Sequence, residues 1–504
     1  MKNLTSQSLS KRAPKSRKKR FWLLIILLLF LFLLVLIGVM IYQTHKPLPA
    51  GLSMEAPVRL VKDTDVEFLY DLTYKKAGQT VYEQMIFERI IKAIEEAEQF
   101  IVVDMFLFNG YYKKEQSFPP LSRKLTDALI AQRNRHPQMP ILIITDEVNT
   151  SYGSHPSEEL ELLEASGIPT SITDVDPLRD SSPLYSGIWR MFMQGFGQSG
   201  KGWIPNLMAD TAPDMTLRSY MKLLNVKANH RKIIATEKTL IVPSANAHDA
   251  SFYNSNTGFA VKGDIIGDAL LSEQAALNLS ESELTVPDFD FESMAQAGAD
   301  GEANGEANVQ LRFLTEGKIL QRVLQSLAAT ESGDTVWMAM FYLADRQVIQ
   351  ELLQAAERGV QIRLILDPNE NAFGNDKIGL PNRPVASELL EKSDKQIQIR
   401  WYNTGKEQFH SKLMFIEQKD QITIHNGSAN FTTRNLADLN LESNLEIQAS
   451  PDSRLAQQVR QYFQRLWGND GAEFTLDYEA YEDKTVALKK AMYALQRWLG
   501  FTTY

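Results

Sequence analysis

The sequence predicts an α/β fold of two homologous lobes that pack about a pseudo-twofold axis and are preceded by one N-terminal transmembrane helix. Three observations predict it: a long apolar run near the N-terminus, an internal repeat in which helical patterns alternate with apolar strands, and a histidine–lysine motif present once in each repeat. Strands that are apolar throughout are typical of a sheet covered on both faces. With 504 residues, the chain is long enough for two such lobes.

The N-terminal segment has the features of a membrane anchor. An uninterrupted apolar run from Phe21 to Tyr42 is long enough to cross a bilayer as a helix. Residues 1–20 form a basic tail with eight Lys and Arg and no acidic residue. The positive-inside bias therefore predicts a cytoplasmic N-terminus, a single-pass anchor at 21–43 in the cell membrane, and an extracytoplasmic location for everything after it.

The alternative to an uncleaved anchor is a secretory signal peptide. The segment Leu48–Ala50 offers a poor cleavage site, and the apolar core is longer than that of a usual signal peptide. We therefore predict that the anchor is retained and that residues 44–63 form a juxtamembrane linker.

Composition excludes several classes of site. The chain has no cysteine, so disulfides, thiolate metal sites and a cysteine nucleophile are impossible. Its net charge of -9 does not favour a protein that coats nucleic acid. Nucleic acid is therefore not expected as a partner.

An internal repeat divides the remainder into two lobes, 64–285 and 309–475. Val66–Asp71 opens the first copy and Val309–Glu316 opens the second. Each opening is followed by helix, strand, helix and strand patterns in the same order. Residues 286–308 between the copies include a stretch low in apolar residues and rich in Gly, Ala and acidic residues, which predicts a flexible linker.

A short polar motif recurs in register in the two copies. The strings "HRKIIATE" and "HSKLMFIE" each combine a His, a Lys two residues later and a Glu seven residues after the His, and a "SAN" segment closes each unit. Five coincident pairs within an independently detected repeat make this a motif. The pairs are His230 and His410, Lys232 and Lys412, Glu237 and Glu417, Ser244 and Ser428, and Asn246 and Asn430.

These residue types suit the chemistry of a phosphodiester. Residues two apart in a strand point to the same face, so the His and Lys of each motif should project together. If the two copies pack about a twofold axis, one pocket receives both sets. The lysines and amides then neutralise the phosphate oxygens, while one imidazole attacks phosphorus and the other acts as acid and base. Two lysines replace a metal electrostatically, so no metal and no cofactor are expected.

The motif pair resembles the phospholipase D superfamily, whose signature is H-x-K-x4-D followed by a G-S-x-N-like segment, usually present twice. The resemblance covers nearly all of residues 64–475 and is strongest at "HSKLMFIE…NGSANFTTRN". It implies two phospholipase D-like lobes, with His230 and His410 as nucleophile and general acid/base; family habit favours His230 as nucleophile. It also implies phosphate binding by Lys232, Lys412, Asn246 and Asn430, support from Ser244 and Ser428, structural support from Glu237 and Glu417, and a His-orienting carboxylate at Glu442, with Glu446 as the fallback.

The chain departs from the family pattern at several positions. The motif acid is Glu in both copies where the family usually has Asp, and Pro243 stands where Gly is expected. The hairpin between Glu417 and Gly427 is longer than usual. Gly258 lies about where the first copy would carry a His-orienting carboxylate. The two histidines are therefore predicted to have unequal environments and unequal roles.

Other histidines and carboxylates give no metal signature. The five remaining histidines have no metal-ligand spacing. Asp146–Asn149 and Asp367–Asn371 stand at strand ends in both copies, where turn-forming and rim roles are favoured over metal binding.

Two segments have no counterpart in the repeat. The insertion 183–224 is rich in aromatic residues in its first part, and Tyr185, Ile188, Trp189, Phe192 and Phe196 fall at helical spacing. It is either an amphipathic lid that contacts lipid or an extra helix packed on the lobe. Residues 476–504 predict an amphipathic helix that lies on the membrane or caps the second lobe.

The anchor and the motif together predict a phosphodiesterase or phosphatidyltransferase of the phospholipase D type, similar to cardiolipin synthases. It would act on phospholipids through a covalent phospho-His intermediate, at an active site formed within one chain and in an extracytoplasmic catalytic domain. One alternative is an anchored phosphodiesterase or nuclease acting on DNA or cell-wall phosphodiesters. The other is a catalytically inactive lipid-binding scaffold.

Overall fold

A computed structural model describes residues 15–287, 307–372, 375–482 and 485–500. Residues 1–14 of the predicted tail, residues 288–306 of the predicted linker and residues 483, 484 and 501–504 of the predicted C-terminal helix lie outside the described residues.

Helices cover the outer faces of the two sheets, lie between them and form the N-terminal segment. They are α1 (Lys15–His45), α2 (Ile86–Glu96), α3 (Leu121–Arg135), α4 (Glu158–Ala165), α5 (Pro183–Phe192), α6 (Leu217–Leu223), α7 (Ile265–Leu279), α8 (Gly317–Ala328), α9 (Arg346–Glu357), α10 (Asn382–Lys392), α11 (Thr433–Leu436), α12 (Arg454–Gly468) and α13 (Val486–Leu499).

The strands form two large sheets and two small ribbons. The strands before residue 300 are β1 (Arg59–Val61), β2 (Val66–Lys76), β3 (Gln79–Gln84), β4 (Ile101–Met105), β5 (Phe108–Asn109), β6 (Ile141–Asp146), β7 (Thr170–Thr173), β8 (Lys232–Thr236), β9 (Leu240–Pro243), β10 (Ala247–His248) and β11 (Asn256–Val261). The others are β12 (Val309–Thr315), β13 (Thr335–Met340), β14 (Gln361–Leu366), β15 (Asn371–Ala372), β16 (Asn375–Asp376), β17 (Ile397–Tyr402), β18 (Lys412–Glu417), β19 (Ile422–Gly427), β20 (Ser443–Ala449) and β21 (Thr475–Asp477).

The two large sheets share one topology. Their strand orders are β3-β2-β11-β9-β8-β4-β6-β7 and β1-β12-β20-β19-β18-β13-β14-β17-β21. The seven strands from β2 to β7 in the first order therefore match the seven from β12 to β17 in the second. Central strands such as β4, β8 and β18 are almost wholly buried, which explains their nearly continuous apolar sequences. The predicted α/β fold with two homologous lobes is confirmed.

The lobes pack face to face through a shared core and reciprocal contacts. Helix α7 of the first lobe contacts β12, and α12 of the second lobe contacts β2. Asn229 forms a parallel bridge with Leu441, while Phe409 forms the equivalent bridge with Ser255. These crossed bridges stand directly before the two motif histidines, so the pseudo-twofold packing brings the motifs together.

The segment after α1 adds a strand to the sheet of the second lobe and also contacts the first lobe. Residues 59–61 of the predicted juxtamembrane linker form β1, which pairs antiparallel with β12. Arg59 also forms an ion pair with Asp268 of α7, with a nitrogen–oxygen distance of 2.8 Å. The described residues contain one helix, Lys18–His45 within α1, that is long and apolar enough to cross a membrane. The segment that follows the C-terminal end of α1 therefore contacts both lobes.

A buried ion network ties the first motif to the second lobe. The side chain of Arg231 is fully buried and lies 3.3 Å from Glu273 Oε1 and 2.8 Å from Glu316 Oε1. Glu316 Oε1 also accepts the backbone N–H of Glu442 at 3.1 Å, and Glu316 Oε2 accepts that of Ser53 at 2.7 Å. Arg231 therefore neutralises one buried carboxylate from each lobe, Glu273 from the first and Glu316 from the second.

Removing that cation is expected to destabilise the whole fold. Arg231→Met leaves buried carboxylates without a partner, which costs about 3–5 kcal/mol of the free energy of unfolding. The control is Arg123→Met, which breaks an exposed pair with Asp127 and is expected to cost about 1 kcal/mol or less. Denaturant unfolding in detergent measures both, and equal midpoints for the two variants would contradict the network's role.

Candidate active site

The two motifs place a His and a Lys from each lobe in one buried cluster. His230 and His410 stand two residues before β8 and β18 proper, which begin at Lys232 and Lys412. Each lysine Nζ donates to the carbonyl of its own motif His, at 2.8 Å in the first lobe and 2.9 Å in the second. This local bond holds each His and Lys side by side, as the strand alternation predicts.

Each histidine is held by a side chain from the opposite lobe. His230 Nδ1 lies 3.0 Å from Glu442 Oε2, and His410 Nδ1 lies 3.2 Å from Asn256 Oδ1. Both partner oxygens accept hydrogen bonds, so Nδ1 of each ring carries the hydrogen. In the neutral rings, the Nε2 atoms are then the nitrogens that carry no hydrogen.

Asn256 is the first-lobe counterpart of Glu442, and the sequence pointed instead to Gly258. In the strand register Gly258 faces Pro243, as Asn444 faces Gly427, so Asn256 and Glu442 hold equivalent positions. Each facing pair contains one glycine because a second side chain does not fit: a Cβ on Gly258 would lie 2.9 Å from Pro243 Cα. The glycine of the facing pair is Gly258 in the first lobe and Gly427 in the second, which explains why Pro243 can stand where the motif glycine is expected. The first-lobe position expected to carry a carboxylate is Asn256, two residues before Gly258.

The motif serines position the groups that hold the histidines. Ser428 Oγ donates to Glu442 Oε2, and Ser244 Oγ donates to Asn256 Oδ1 at 3.4 Å. Asn435 Nδ2 donates to Glu442 Oε1. The serine hydroxyls predicted to support phosphate binding are therefore committed to Glu442 and Asn256.

The motif asparagines are placed differently from the serines. Asn246 and Asn430 are buried, and among the described residues neither side-chain oxygen has a hydrogen-bond partner. Their side-chain oxygens are therefore not committed in the way that the serine hydroxyls are. The fallback residue Glu446 forms an ion pair with Arg322 at 2.6 Å, whereas Glu442 contacts His230.

Two phenylalanines that the sequence analysis did not select also line the cluster. Phe106 lies 4.7 Å from the ring of His230, and Phe341 lies 5.1 Å from that of His410, measured between ring centroids. The Nζ atoms of Lys232 and Lys412 lie 5.1 Å and 5.2 Å from the same two ring centroids. The sequence could have indicated these two residues, because a Met-Phe pair stands at the end of one strand in each copy, Met105–Phe106 and Met340–Phe341.

The carboxylates at the strand ends support the backbone before each histidine. Asp146 Oδ2 accepts the N–H of Asn229, and Asp367 Oδ2 accepts that of Phe409, both at 2.7 Å. Burial raises the pKa of both carboxyls to about 7. Their Oδ1 atoms also accept the N–H groups of Val148 at 2.8 Å and Asn369 at 2.6 Å, as the predicted turn-forming role requires. Both aspartates are buried, so they do not lie on an exposed rim.

The electrostatics of the cluster favour an anionic ligand. Burial, together with the two lysines, lowers the pKa of His230 and of His410 well below its ordinary value. Burial lowers the pKa of Lys232 to about 7, and burial and Lys232 lower that of Lys412. Burial also raises the pKa of Glu442 to about 7. An anion among these groups would relieve the mutual repulsion of the cations.

The motif carboxylates lie at the far ends of their strands from the histidines. Glu237 is buried and accepts backbone N–H groups of Glu98 and Gln99 at 2.8 Å and 3.2 Å. Glu417 is partly exposed and pairs with Arg460 at 2.6 Å. Neither contacts the cluster, and both have contacts suited to holding the lobe.

These two carboxylates are expected to differ in their effect on stability. Glu237→Gln removes the charge of a buried side chain that accepts backbone N–H groups, and it is expected to cost about 1–3 kcal/mol of unfolding free energy. Glu417→Gln breaks a partly exposed pair and is expected to cost about 1 kcal/mol or less. Thermal unfolding measures the difference, while turnover per folded molecule stays unchanged in both. A loss of turnover in folded Glu237→Gln would contradict this assignment.

Comparison with known proteins finds one family model that matches part of the second lobe. The family model described as "Cardiolipin synthase, PLD-like domain" matches residues 323–467, which include the second motif. No protein with a curated description matches the chain in sequence.

Three solved structures are similar to this chain to different degrees, and the first shares its fold. A phosphatidylserine synthase from Haemophilus influenzae Rd KW20 is 12% identical, with 89% of this chain and 97% of that chain covered and a TM-score of 0.54. A phospholipase D family member, Nuc from Salmonella typhimurium, is 19% identical over 34% of this chain and 98% of its own, with a TM-score of 0.27. A polyphosphate kinase from Porphyromonas gingivalis is 12% identical over 80% of this chain and 50% of its own, with a TM-score of 0.39.

Proposed function

We propose that the chain belongs to the phospholipase D superfamily, which the family model over residues 323–467 supports, and that it cleaves or transfers the phosphatidyl group of a phospholipid through a covalent phospho-His intermediate. The observation that carries the proposal is the crossed pair of contacts, Glu442 to His230 and Asn256 to His410. It leaves two Nε2 atoms from opposite lobes beside two lysines. The proposal includes an active site formed within one chain, which these contacts between the two lobes support.

The unequal partners support unequal roles for the two histidines. Attack on phosphorus by His230 Nε2 leaves a positive charge on the ring, which the Glu442 carboxylate stabilises. His410 faces a neutral amide, so its imidazolium gives up a proton more readily than one paired with a carboxylate. We assign His230 as nucleophile and His410 as general acid and base.

The reaction then proceeds in two balanced steps. His230 Nε2 attacks phosphorus, the bond from phosphorus to the headgroup oxygen breaks, and His410 Nε2 gives that oxygen a proton. Water or an acceptor alcohol next loses a proton to His410, and its oxygen attacks phosphorus and displaces His230. Lys232 and Lys412 neutralise the non-bridging oxygens throughout, and Asn246 and Asn430 are proposed to donate their amide N–H groups to them.

The apolar helix α1 supports a membrane location for this reaction. It is proposed to cross the cell membrane once, with the basic N-terminal tail in the cytoplasm and both lobes outside. The acidic net charge supports a lipid substrate over nucleic acid.

Product analysis tests the proposal. Full-length protein is incubated with phosphatidylglycerol vesicles in EDTA, beside a His230→Ala control. Cardiolipin identifies a transferase and phosphatidic acid a hydrolase, and either product must be lost in the control. Unchanged lipid would overturn phosphatidylglycerol as the substrate.

Cleavage of DNA by the same protein would favour the nuclease alternative, and turnover of neither substrate would favour a non-catalytic scaffold.

A further inference from the structure

Helix α5 of the aromatic insertion packs along the apolar helix α1. The rings of Phe192 and Phe32 lie 6.0 Å apart between centroids. A Cβ on Gly187 would lie 3.1 Å from side-chain atoms of both Leu36 and Met40, so the glycine lets the two helices approach closely. Just before α5, Asp180 donates its backbone N–H to the carbonyl of Gln43 at 3.1 Å.

These contacts fix the direction and depth of α5. They pass from Gln43 through Met40 and Leu36 to Phe32, so α5 runs antiparallel to α1, from the end of the apolar run toward its centre. Phe32 lies in the middle of the run from Phe21 to Tyr42, about 15 Å from its outer end at 1.5 Å per residue. If α1 spans the bilayer, α5 therefore lies within the outer half of the hydrocarbon layer.

The side chains of α5 fit such a position. Leu184, Ile188 and Phe192 lie four residues apart with 57%, 42% and 50% of their surfaces exposed, and Phe196 just beyond is 68% exposed. The described residues therefore leave about half or more of the surface of most side chains in this apolar stripe uncovered. The one charged residue of α5, Arg190, pairs with Asp180 at 2.7 Å, and both side chains are nearly buried. Its charge is thereby neutralised away from lipid.

The same contacts set the height of the catalytic cluster. Lys227 Nζ lies 2.6 Å from Asp180 Oδ1, and Asp180 stands level with Gln43 at the end of the apolar run. His230 follows Lys227 by three residues, which span about 10 Å at most. The Lys227–Asp180 ion pair thus holds the segment before His230 at the outer end of the apolar run, on the side of the lipid headgroups.

We infer, on the basis of the function proposed above, that α5 is a membrane-inserted half-helix. Its apolar stripe lies among the acyl chains of the outer leaflet and holds the site at headgroup height. The substrate is then a phospholipid of the membrane that holds α1, and it reaches the site laterally.

Single-cysteine variants test the insertion directly because the natural chain has no cysteine. Ile188→Cys and Phe196→Cys probe the stripe, and Gln396→Cys on the exposed surface of the second lobe is the control. Each full-length variant is reconstituted in phosphatidylglycerol vesicles and treated with a membrane-impermeant maleimide, with reactivity in SDS as the reference. The stripe positions are expected to react about tenfold or more slowly than the control in vesicles and equally in SDS.

Equal rates at 188, 196 and 396 in vesicles would overturn the inference. Labelling needs no turnover, so a failure of the proposed function would appear separately, as unchanged phosphatidylglycerol with slow labelling. A second variant, Ile188→Asp, is expected to lower turnover of vesicle lipid about tenfold or more while leaving that of soluble bis(p-nitrophenyl) phosphate unchanged. Equal loss on both substrates would contradict a role in membrane insertion.

Discussion

His410→Ala is expected to release about one equivalent of p-nitrophenol from a p-nitrophenyl phosphodiester and then stop, whereas His230→Ala releases none. The nitrophenolate ion leaves without a proton, so the first step needs only the nucleophile. The second step needs a base to activate water, and His410→Ala lacks it. Phosphorylated His230 should therefore accumulate, and intact-mass measurement detects the added group.

The size of each loss follows from the role of the residue. Steady-state turnover of a natural phospholipid should fall by about 10²–10⁴-fold without the acid and base. Loss of the nucleophile should cost about 10⁶-fold, the magnitude typical of removing a catalytic nucleophile. Rapid-mixing absorbance separates the burst from the steady state.

The control is His136→Ala, which removes an imidazole outside the cluster and should keep full turnover. A burst from His230→Ala with none from His410→Ala would exchange the two roles. The absence of a covalent adduct in every variant, including wild type, would contradict the phospho-His route.

Two simple rules allow the sequence to predict that the His and Lys of each motif lie side by side. Alternation along a strand fixes His230 beside Lys232, and the repeat fixes the same arrangement around His410. The family resemblance predicted a His-orienting carboxylate at Glu442, and in the structure that carboxylate contacts His230. These rules act within one lobe, so they could not predict the contacts that cross the interface between the lobes.

Asn256 shows why the remainder was missed. Its position is occupied by an amide in one lobe and by a carboxylate in the other, so residue type gave no signal. The register that aligns Asn256 with Glu442 depends on the Gly258–Pro243 and Asn444–Gly427 pairs, which only the folded sheets reveal. The insertion posed a similar problem. Its helical spacing was visible in the sequence, but its packing on α1 joins segments about 150 residues apart.

Glu442→Gln is expected to lower turnover by about 10²–10⁴-fold and to remove the acidic limb of the pH profile. In the wild type, burial raises the pKa of Glu442 to about 7, although Lys232 and Lys412 favour its charged form. Below about pH 7 the carboxyl becomes protonated, so it no longer stabilises the charged ring of His230. Turnover should therefore fall as pH falls, and glutamine, which does not titrate, leaves a low and flatter profile.

The matched control lies four residues further along the chain. Glu446→Gln replaces a buried carboxylate that pairs with Arg322 and does not contact either catalytic histidine. It should cost stability yet keep the wild-type pH profile, because it leaves the charge beside His230 intact. If Glu442→Gln retains the acidic limb, another group titrates there and the carboxylate serves only to place the ring. If Glu442→Gln and Glu446→Gln both lose the acidic limb of the pH profile, the limb reflects the total buried negative charge of the second lobe and not the carboxylate beside His230. Only loss of the limb in Glu442→Gln alone assigns it to the carboxylate that crosses from one lobe to the histidine of the other.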